Sequence, residues 1–299
     1  MKIAVVGAGG VGGYLAAMLA RSGERIFLVA RGENRRAIAE EGICVESASE
    51  RFCARPEAVE EDPARFGIVA DAVLFCTKGY DLESAAASVR PIVAPRTLLV
   101  PFGNGVGNAG TLRRLFERNL VANGAIYIVS HLVEPGLVAL KGKGAFAVIG
   151  VDGEILEPLQ TLGDTLVRAG VKTRVSDAIT TEVWKKFLLI AAMATLTSCH
   201  DKPMGAIVSE HRRELEAILH EIADVGRAEG ADLREESIAS VLEQVSKVPY
   251  DAPTSMWLDF RAKRPTELEQ LSGYVVRKGR EHGIRTPVMK RCYEELRRA

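Results

Sequence analysis

The chain has no excess of either charge: Lys plus Arg and Asp plus Glu each total 39 in 299 residues. That balance removes the electrostatic footprint of a nucleic-acid or membrane-surface binder, so any anion site has to be local. Long apolar runs are also missing. The nearest candidate, Phe187 to Ala194, falls far short of the roughly 20 residues a transmembrane helix needs. Cysteine is sparse and unpatterned: its five copies, Cys44, Cys53, Cys76, Cys199 and Cys292, are odd in number and form no C-x-x-C pair. Such usage fits a reducing cytoplasm better than a disulfide framework, and a cytoplasmic location is the expectation. The five histidines show neither H-E-x-x-H nor H-x-H spacing, so no metal site is expected. No internal repeat or low-complexity tract occurs.

The N-terminus carries the strongest signal. Ile3 to Val6 is short, apolar and rich in β-branched residues, as a buried parallel strand should be. Gly7, Ala8, Gly9, Gly10, Val11 and Gly12 follow at once and fit G-x-G-x-x-G, and Val11 to Ala20 reads as a helix. In that context Gly7 makes the tight turn, Gly9 admits a pyrophosphate and Gly12 lets helix and strand pack closely. The helix start would then hold the anion. Five glycines inside the would-be apolar core argue against a secretory signal.

Arg25 to Ala30 is a second strand, and Arg31 stands where NAD-binding folds carry an acid for the ribose 2′-hydroxyl. A guanidinium there suits a 2′-phosphate, so NADPH is the expected cofactor; the lesser alternative is that Arg31 merely begins a solvated basic helix face with Arg35 and Arg36. Ile43 to Val45 and Arg51 to Ala54 read as a hairpin. Ala72 to Cys76 and Thr97 to Val100 are further strands, placing Lys78 and the Asn104-Gly105 loop at carboxyl edges, where ligands bind in open α/β sheets. Lys78 as a plain loop lysine, and Asn104 as a plain turn residue, remain open. Leu120 to Val129, Leu137 to Leu140, Phe146 to Ile149 and Val171 to Val175 read as strands, with Gly136 and Lys141 to Gly144 as breaks. Ile155 to Ala169 reads as a helix. The alternation predicts an α/β fold, an N-terminal Rossmann-type doubly wound sheet over residues 1–175.

Helical periodicity takes over in residues 176–299, which predicts an all-α second domain. A long helix from Ala178 to about Cys199, apolar all round from Phe187 to Ala194, should be its buried centre. Lys186 lies at the edge of that stretch and shares a face with Glu182, Ile190 and Ala194. Desolvation would lower its pKa toward that of a proton donor; snorkelling, or pairing with Glu182, is the competing reading. Glu210 to Gly230 and Ser237 to Val248 read as helices, and Thr254 to Phe260 as a shorter one. Pro265 is well placed to open another, running to His282, with Glu267 in its first turn.

Together these anchors resemble one family, the ketopantoate reductases (2-dehydropantoate 2-reductases). The matching stretches are Gly7 to Gly12, Arg31, Thr77-Lys78, Asn104-Gly105, Trp184-Lys185-Lys186, Pro203-x-Gly205, Thr254-Ser255-Met256 and Pro265-Thr266-Glu267. The resemblance implies NADPH-dependent reduction of a 2-oxo acid, in the family ketopantoate to pantoate for pantothenate biosynthesis. It implies that Gly7 to Gly12, Arg31 and Lys78 bind the cofactor, and that Asn104 lies between cofactor and substrate. It further implies that Lys186 is the proton donor and substrate contact, that Ser255 contacts substrate, and that Glu267 serves cofactor and catalysis. Where the family usually has asparagines, this chain has Ile190, Ala194, Met204 and Ala252. The expected partner is therefore a small 2-oxo acid of open identity, with no nucleic acid and no membrane; a homodimer stays open. The alternatives are a dehydrogenase of the same fold acting on a less polar 2-oxo or 3-hydroxy acid, and a non-catalytic NADPH-sensing module.

Overall fold

The computed structural model describes residues 1–298 of the chain. They fall into two compact units. The first comprises Met1–Gly103 and Asn108–Ile179, the second Asn104–Gly107 and the chain from Thr180 onward.

The strands of the first unit are β1 (Lys2–Val6), β2 (Arg25–Val29), β3 (Ile43–Glu46), β4 (Arg51–Ala54), β5 (Ala58–Glu60), β6 (Ala72–Phe75), β7 (Leu98–Pro101), β8 (Asn123–Glu134), β9 (Leu137–Gly150) and β10 (Lys172–Ser176). Its helices are α1 (Gly10–Arg21), α2 (Gly32–Glu41), α3 (Leu82–Ser88), α4 (Asn108–Leu115) and α5 (Glu157–Arg168). A parallel five-stranded sheet runs in the order β5-β2-β1-β6-β7. Both faces of β1 are covered, which is why its run from Ile3 to Val6 is entirely apolar. Ile3 and Val5 enter the core shared with α1 and α5, and Ala4 and Val6 the core shared with α3 and α4.

The Rossmann-like sheet matches the sequence reading, but the later strands do not extend it. They form a second, mixed sheet in the order β10-β9-β3-β4, with β8 paired to β9. α1 packs between the two sheets, and consecutive glycines allow it. A Cβ on Gly12 would stand 1.9 Å from the Gly7 carbonyl oxygen, and one on Gly13 would stand 2.8 Å from a Val138 methyl. Leu137 to Leu140 and Phe146 to Ile149, read from sequence as separate strands, are one strand here. Gly142 and Gly144, at φ +86° and +104°, lie within β9, and the ladder to β8 shifts register between Tyr127 and Val129. The glycines mark an irregular ladder rather than a break.

Cysteine usage needs a correction. Cys44 and Cys53 are disulfide-bonded. The hairpin register sets them directly opposite each other in the antiparallel β3–β4 pair, a proximity that residue spacing alone does not reveal.

The second unit is helical: α6 (Ile179–His200), α7 (Met204–Glu210), α8 (Arg212–Ala228), α9 (Glu235–Ser246), α10 (Ser255–Arg261), α11 (Ser272–Glu281) and α12 (Pro287–Leu296). α6 is its centre, with Phe187, Leu188, Ala191 to Ala194 and Leu196 all in the core. The predicted helix from Glu210 is α8, which opens two residues later at Arg212; Glu210 closes α7, and His211, whose φ of −120° and ψ of 27° leave the helical region, separates the two. The predicted helix from Pro265 is likewise wrong at its start. Leu271 at φ −102° and ψ −87° delays α11 to Ser272, so Glu267 sits in a turn closed by Gln270 and Leu271 N–H groups on its carbonyl. A helix dipole therefore does not account for Glu267. Among the described residues, no helix is long and apolar enough to cross a membrane.

Candidate active site

The first unit presents the glycine turn. Gly7 sits at φ +99°, a conformation that strongly favours glycine, with the Cys76 carbonyl and Thr77 packed against it. Gly9 has open space beside its Cα. The start of α1 carries neither a capping side chain nor an acid in its first turn, so nothing on the helix itself opposes an anion there. Gly10 lies under β8: a Cβ on it would come 2.5 Å from the Ser130 carbonyl oxygen. Beside this turn the hydroxyls of Thr77 and Ser130 are buried without a hydrogen-bond partner among the described residues. A dinucleotide fits this cradle on three counts: the open approach at Gly9, the uncapped helix start and an orphaned hydroxyl next to the turn.

Arg31 is exposed at the start of α2, immediately after β2. Its neighbour Arg35 faces Glu60 at 3.9 Å. Sequence reasoning missed Asn34. Its Nδ2 donates to the Ala8 carbonyl at 2.9 Å and its Oδ1 accepts from Gly136 N at 2.8 Å, tying α2 to the glycine turn and to the β8–β9 turn. An asparagine in a first helical turn gives no sign of such a clamp. Lys78 is half-buried and opens the short turn before α3, at the carboxyl end of β6.

The second unit brings three of the sequence candidates together. Lys186 Nζ donates to Asn104 Oδ1 at 3.2 Å, and Asn104 Nδ2 donates to Glu267 Oε2 at 3.5 Å. Asn104 reaches α6 because residues 104–107 dock on the helical unit. Gly105 turns the backbone at φ +102°, and Gly107 lies under Tyr274, whose ring carbon would be 2.8 Å from any Cβ there. Tyr274 in turn packs edge-on against Phe187, next to Lys186. Burial draws the Lys186 ammonium down from 10.5 to about 8, and the Glu267 carboxylate opposes part of that fall. Glu267 is only 3% exposed. Glu182 pairs with Lys185 at 3.6 Å, not with Lys186.

Ser255 is exposed at the start of α10, outside this hydrogen-bonded chain. The Thr254 hydroxyl accepts from Trp257 N and meets Thr197 Oγ1 at 2.7 Å, which fixes α10 against α6. Thr197 also donates to the Met193 carbonyl at 2.7 Å. Ile190 is half-buried and Ala194 sits in the core.

The family model described as "Ketopantoate reductase PanE/ApbA" matches residues 3–152, and its C-terminal counterpart matches residues 178–299. The chain belongs to the ketopantoate reductase family. A ketopantoate reductase of Ralstonia eutropha JMP134 is similar in structure, with a TM-score of 0.91 at 30% identity over 99% of this chain and 97% of that one. A 2-dehydropantoate 2-reductase of Porphyromonas gingivalis W83 superposes with a TM-score of 0.87 at 33% identity, covering 99% of both chains. An uncharacterized oxidoreductase of Bacillus subtilis strain 168 is 28% identical, over 99% of this chain and 98% of its own length. Family and fold make the chain an NAD(P)-linked oxidoreductase of the ketopantoate reductase type.

Proposed function

We propose that this ketopantoate reductase family member reduces a 2-oxo acid less polar than ketopantoate to the 2-hydroxy acid, using NADPH. The observation that carries the reading is the chain Lys186–Asn104–Glu267, a partly desolvated ammonium held by an amide and a buried carboxylate. Gly7 to Gly12 with Thr77 and Lys78 would hold the pyrophosphate side of the cofactor, and Arg31 a 2′-phosphate. Reduced nicotinamide, when bound, supplies the hydride. Lys186 Nζ stabilises the negative charge that develops on the substrate oxygen and gives it a proton, leaving the neutral amine. Asn104 orients that ammonium, and Glu267 orients Asn104. Ser255 offers a hydroxyl to the oxo-acid end. Following NADPH oxidation across a panel of 2-oxo acids, and NADP⁺ reduction with 3-hydroxy acids, tests the reading directly; no turnover of any 2-oxo acid would overturn it.

The Arg31 assignment has a measurable consequence. A charge-assisted contact contributes roughly 1.5–3 kcal/mol, so NADPH should bind at least about tenfold more tightly than NADH. Calorimetric titration of both cofactors decides it, and equal affinities would remove Arg31 from the reading.

The Lys186 pKa predicts a pH profile. Reduction needs the ammonium, so kcat/KM for the oxo acid should be level below about 8 and fall roughly tenfold per pH unit above it. Oxidation of the hydroxy acid needs the free amine and should rise through the same pKa. Measuring both directions checks the sign; profiles that do not mirror each other would point to a different acid.

A further inference from the structure

We propose that His200, His211 and Glu214 form a binding site for a divalent transition-metal ion of the zinc type, separate from the Lys186 chain and independent of the proposed function. His200 closes α6, His211 occupies the break between α7 and α8, and Glu214 lies in the first turn of α8. One ligand atom from each falls within 4.8 Å of the other two. The carboxylate oxygen Oε2 of Glu214 is the common point, 2.6 Å from His200 Nε2 and 3.6 Å from His211 Nδ1. Two ligands placed tetrahedrally at about 2.0–2.1 Å from zinc lie about 3.3 Å apart, so the two separations straddle the required value. Two imidazoles and one carboxylate leave a fourth position for water, the donor set that suits zinc and its neighbours rather than calcium or magnesium.

A second observation points the same way. His211 makes no side-chain hydrogen bond among the described residues: Nδ1 is too far from Glu214 for one, and the buried Nε2 has no partner. The ring is held instead by stacking on His200, with centroids 3.8 Å apart. Nδ1, the nitrogen that faces Glu214, is thus free of any hydrogen bond among the described residues and open to an ion.

The surroundings accept a dication. Arg291 bonds the other oxygen of Glu214, leaving Oε2 to the site, and it also bonds Glu295. Lys202 pairs with Glu210. The carboxylates of Glu210, Glu214 and Glu295 outnumber these two cations. The three ligand side chains keep 20%, 24% and 20% of their surface, enough for an ion to enter. His200 stands 14 residues beyond Lys186 on α6, about 21 Å along the helix axis. A metal here would staple the end of α6 to α8 without touching the reacting groups.

The test uses the full chain freed of metal with a chelator, then titrated with zinc chloride by calorimetry and with cobalt(II) by visible absorption. One saturable equivalent per chain is expected, weakened by at least about tenfold in both His200→Asn and His211→Asn and unchanged in Cys199→Ala. Zinc should also raise the melting temperature of the wild type and not of the histidine variants. The two histidine variants are independent, so loss of folding in one leaves the other as the test. Absence of saturable binding, binding unchanged in both histidine variants, or a thiolate-to-cobalt charge-transfer band lost in Cys199→Ala would overturn the proposal.

Discussion

Lys186→Ala should lower kcat for the preferred 2-oxo acid by about 10²–10⁴ while leaving NADPH affinity nearly intact. The lysine is the only member of its hydrogen-bonded chain that can deliver a proton to an alkoxide near neutral pH. Its pKa of about 8 keeps most of it protonated at pH 7 and makes proton transfer easier than from an ordinary lysine. Without it, water must protonate the oxygen, and the developing charge has no cation beside it. The substitution also removes the Lys186 donor from Asn104 Oδ1 and a cation that interacts with the buried Glu267, so the variant's melting temperature has to be compared with the wild type. Cofactor affinity separates the two effects: a misfolded variant loses both kcat and NADPH binding, a chemically disabled one only kcat. A kcat within a few-fold of wild type would make Lys186 a structural residue and end the mechanism proposed above.

The second large effect concerns the substrate. Ketopantoate should be turned over with kcat/KM below about 10⁴ M⁻¹s⁻¹, and less efficiently than 2-oxo acids with longer or aromatic side chains. The resemblance puts amides where this chain has Ile190, Ala194 and Met204. Hydrogen bonds to a charged substrate are worth roughly 1.5–3 kcal/mol each, so two missing ones cost at least about tenfold apiece. Thr197, three residues beyond Ala194 on α6, is already bonded to the Met193 carbonyl and Thr254. Ile190 and Met204 instead offer half-buried apolar surface, which favours a longer hydrocarbon substituent. The position to vary is Ile190. Ala194 is 2% exposed within the core, where a new amide would be buried unpaired. Ile190→Asn should raise kcat/KM for ketopantoate about tenfold and lower it for the apolar acids. Ketopantoate ranking ahead of every other acid in the wild type would show that the missing amides do not matter.

The strongest local patterns are legible in the sequence. The all-apolar strand β1, the glycine turn and α1 follow from side-chain period and from the backbone freedom of Gly7, both properties of a few consecutive residues. The buried α6 follows in the same way from a stretch apolar on every side, and Lys186 was visible as the charge at its edge. Even the β3–β4 hairpin was legible. Its disulfide was not, because cysteine spacing says nothing about which residues a ladder sets opposite each other.

Everything that turns these pieces into a site depends on contacts between distant residues. Asn104 reads as a turn residue until Gly107 seats its loop under Tyr274 and its side chain meets Lys186. Glu267 reads as a helix-start carboxylate until Leu271 breaks the helix and the carboxylate turns to Asn104, which is 163 residues away in sequence. His200, His211 and Glu214 have no motif spacing because the break at His211 folds α8 back onto the end of α6. The sequence by itself determined the fold class, the glycine turn and the buried lysine helix, since hydrophobic period and backbone freedom act over one or two turns of chain. Only the tertiary structure decided which polar groups meet, because that is set by packing and register across residues that no local pattern connects.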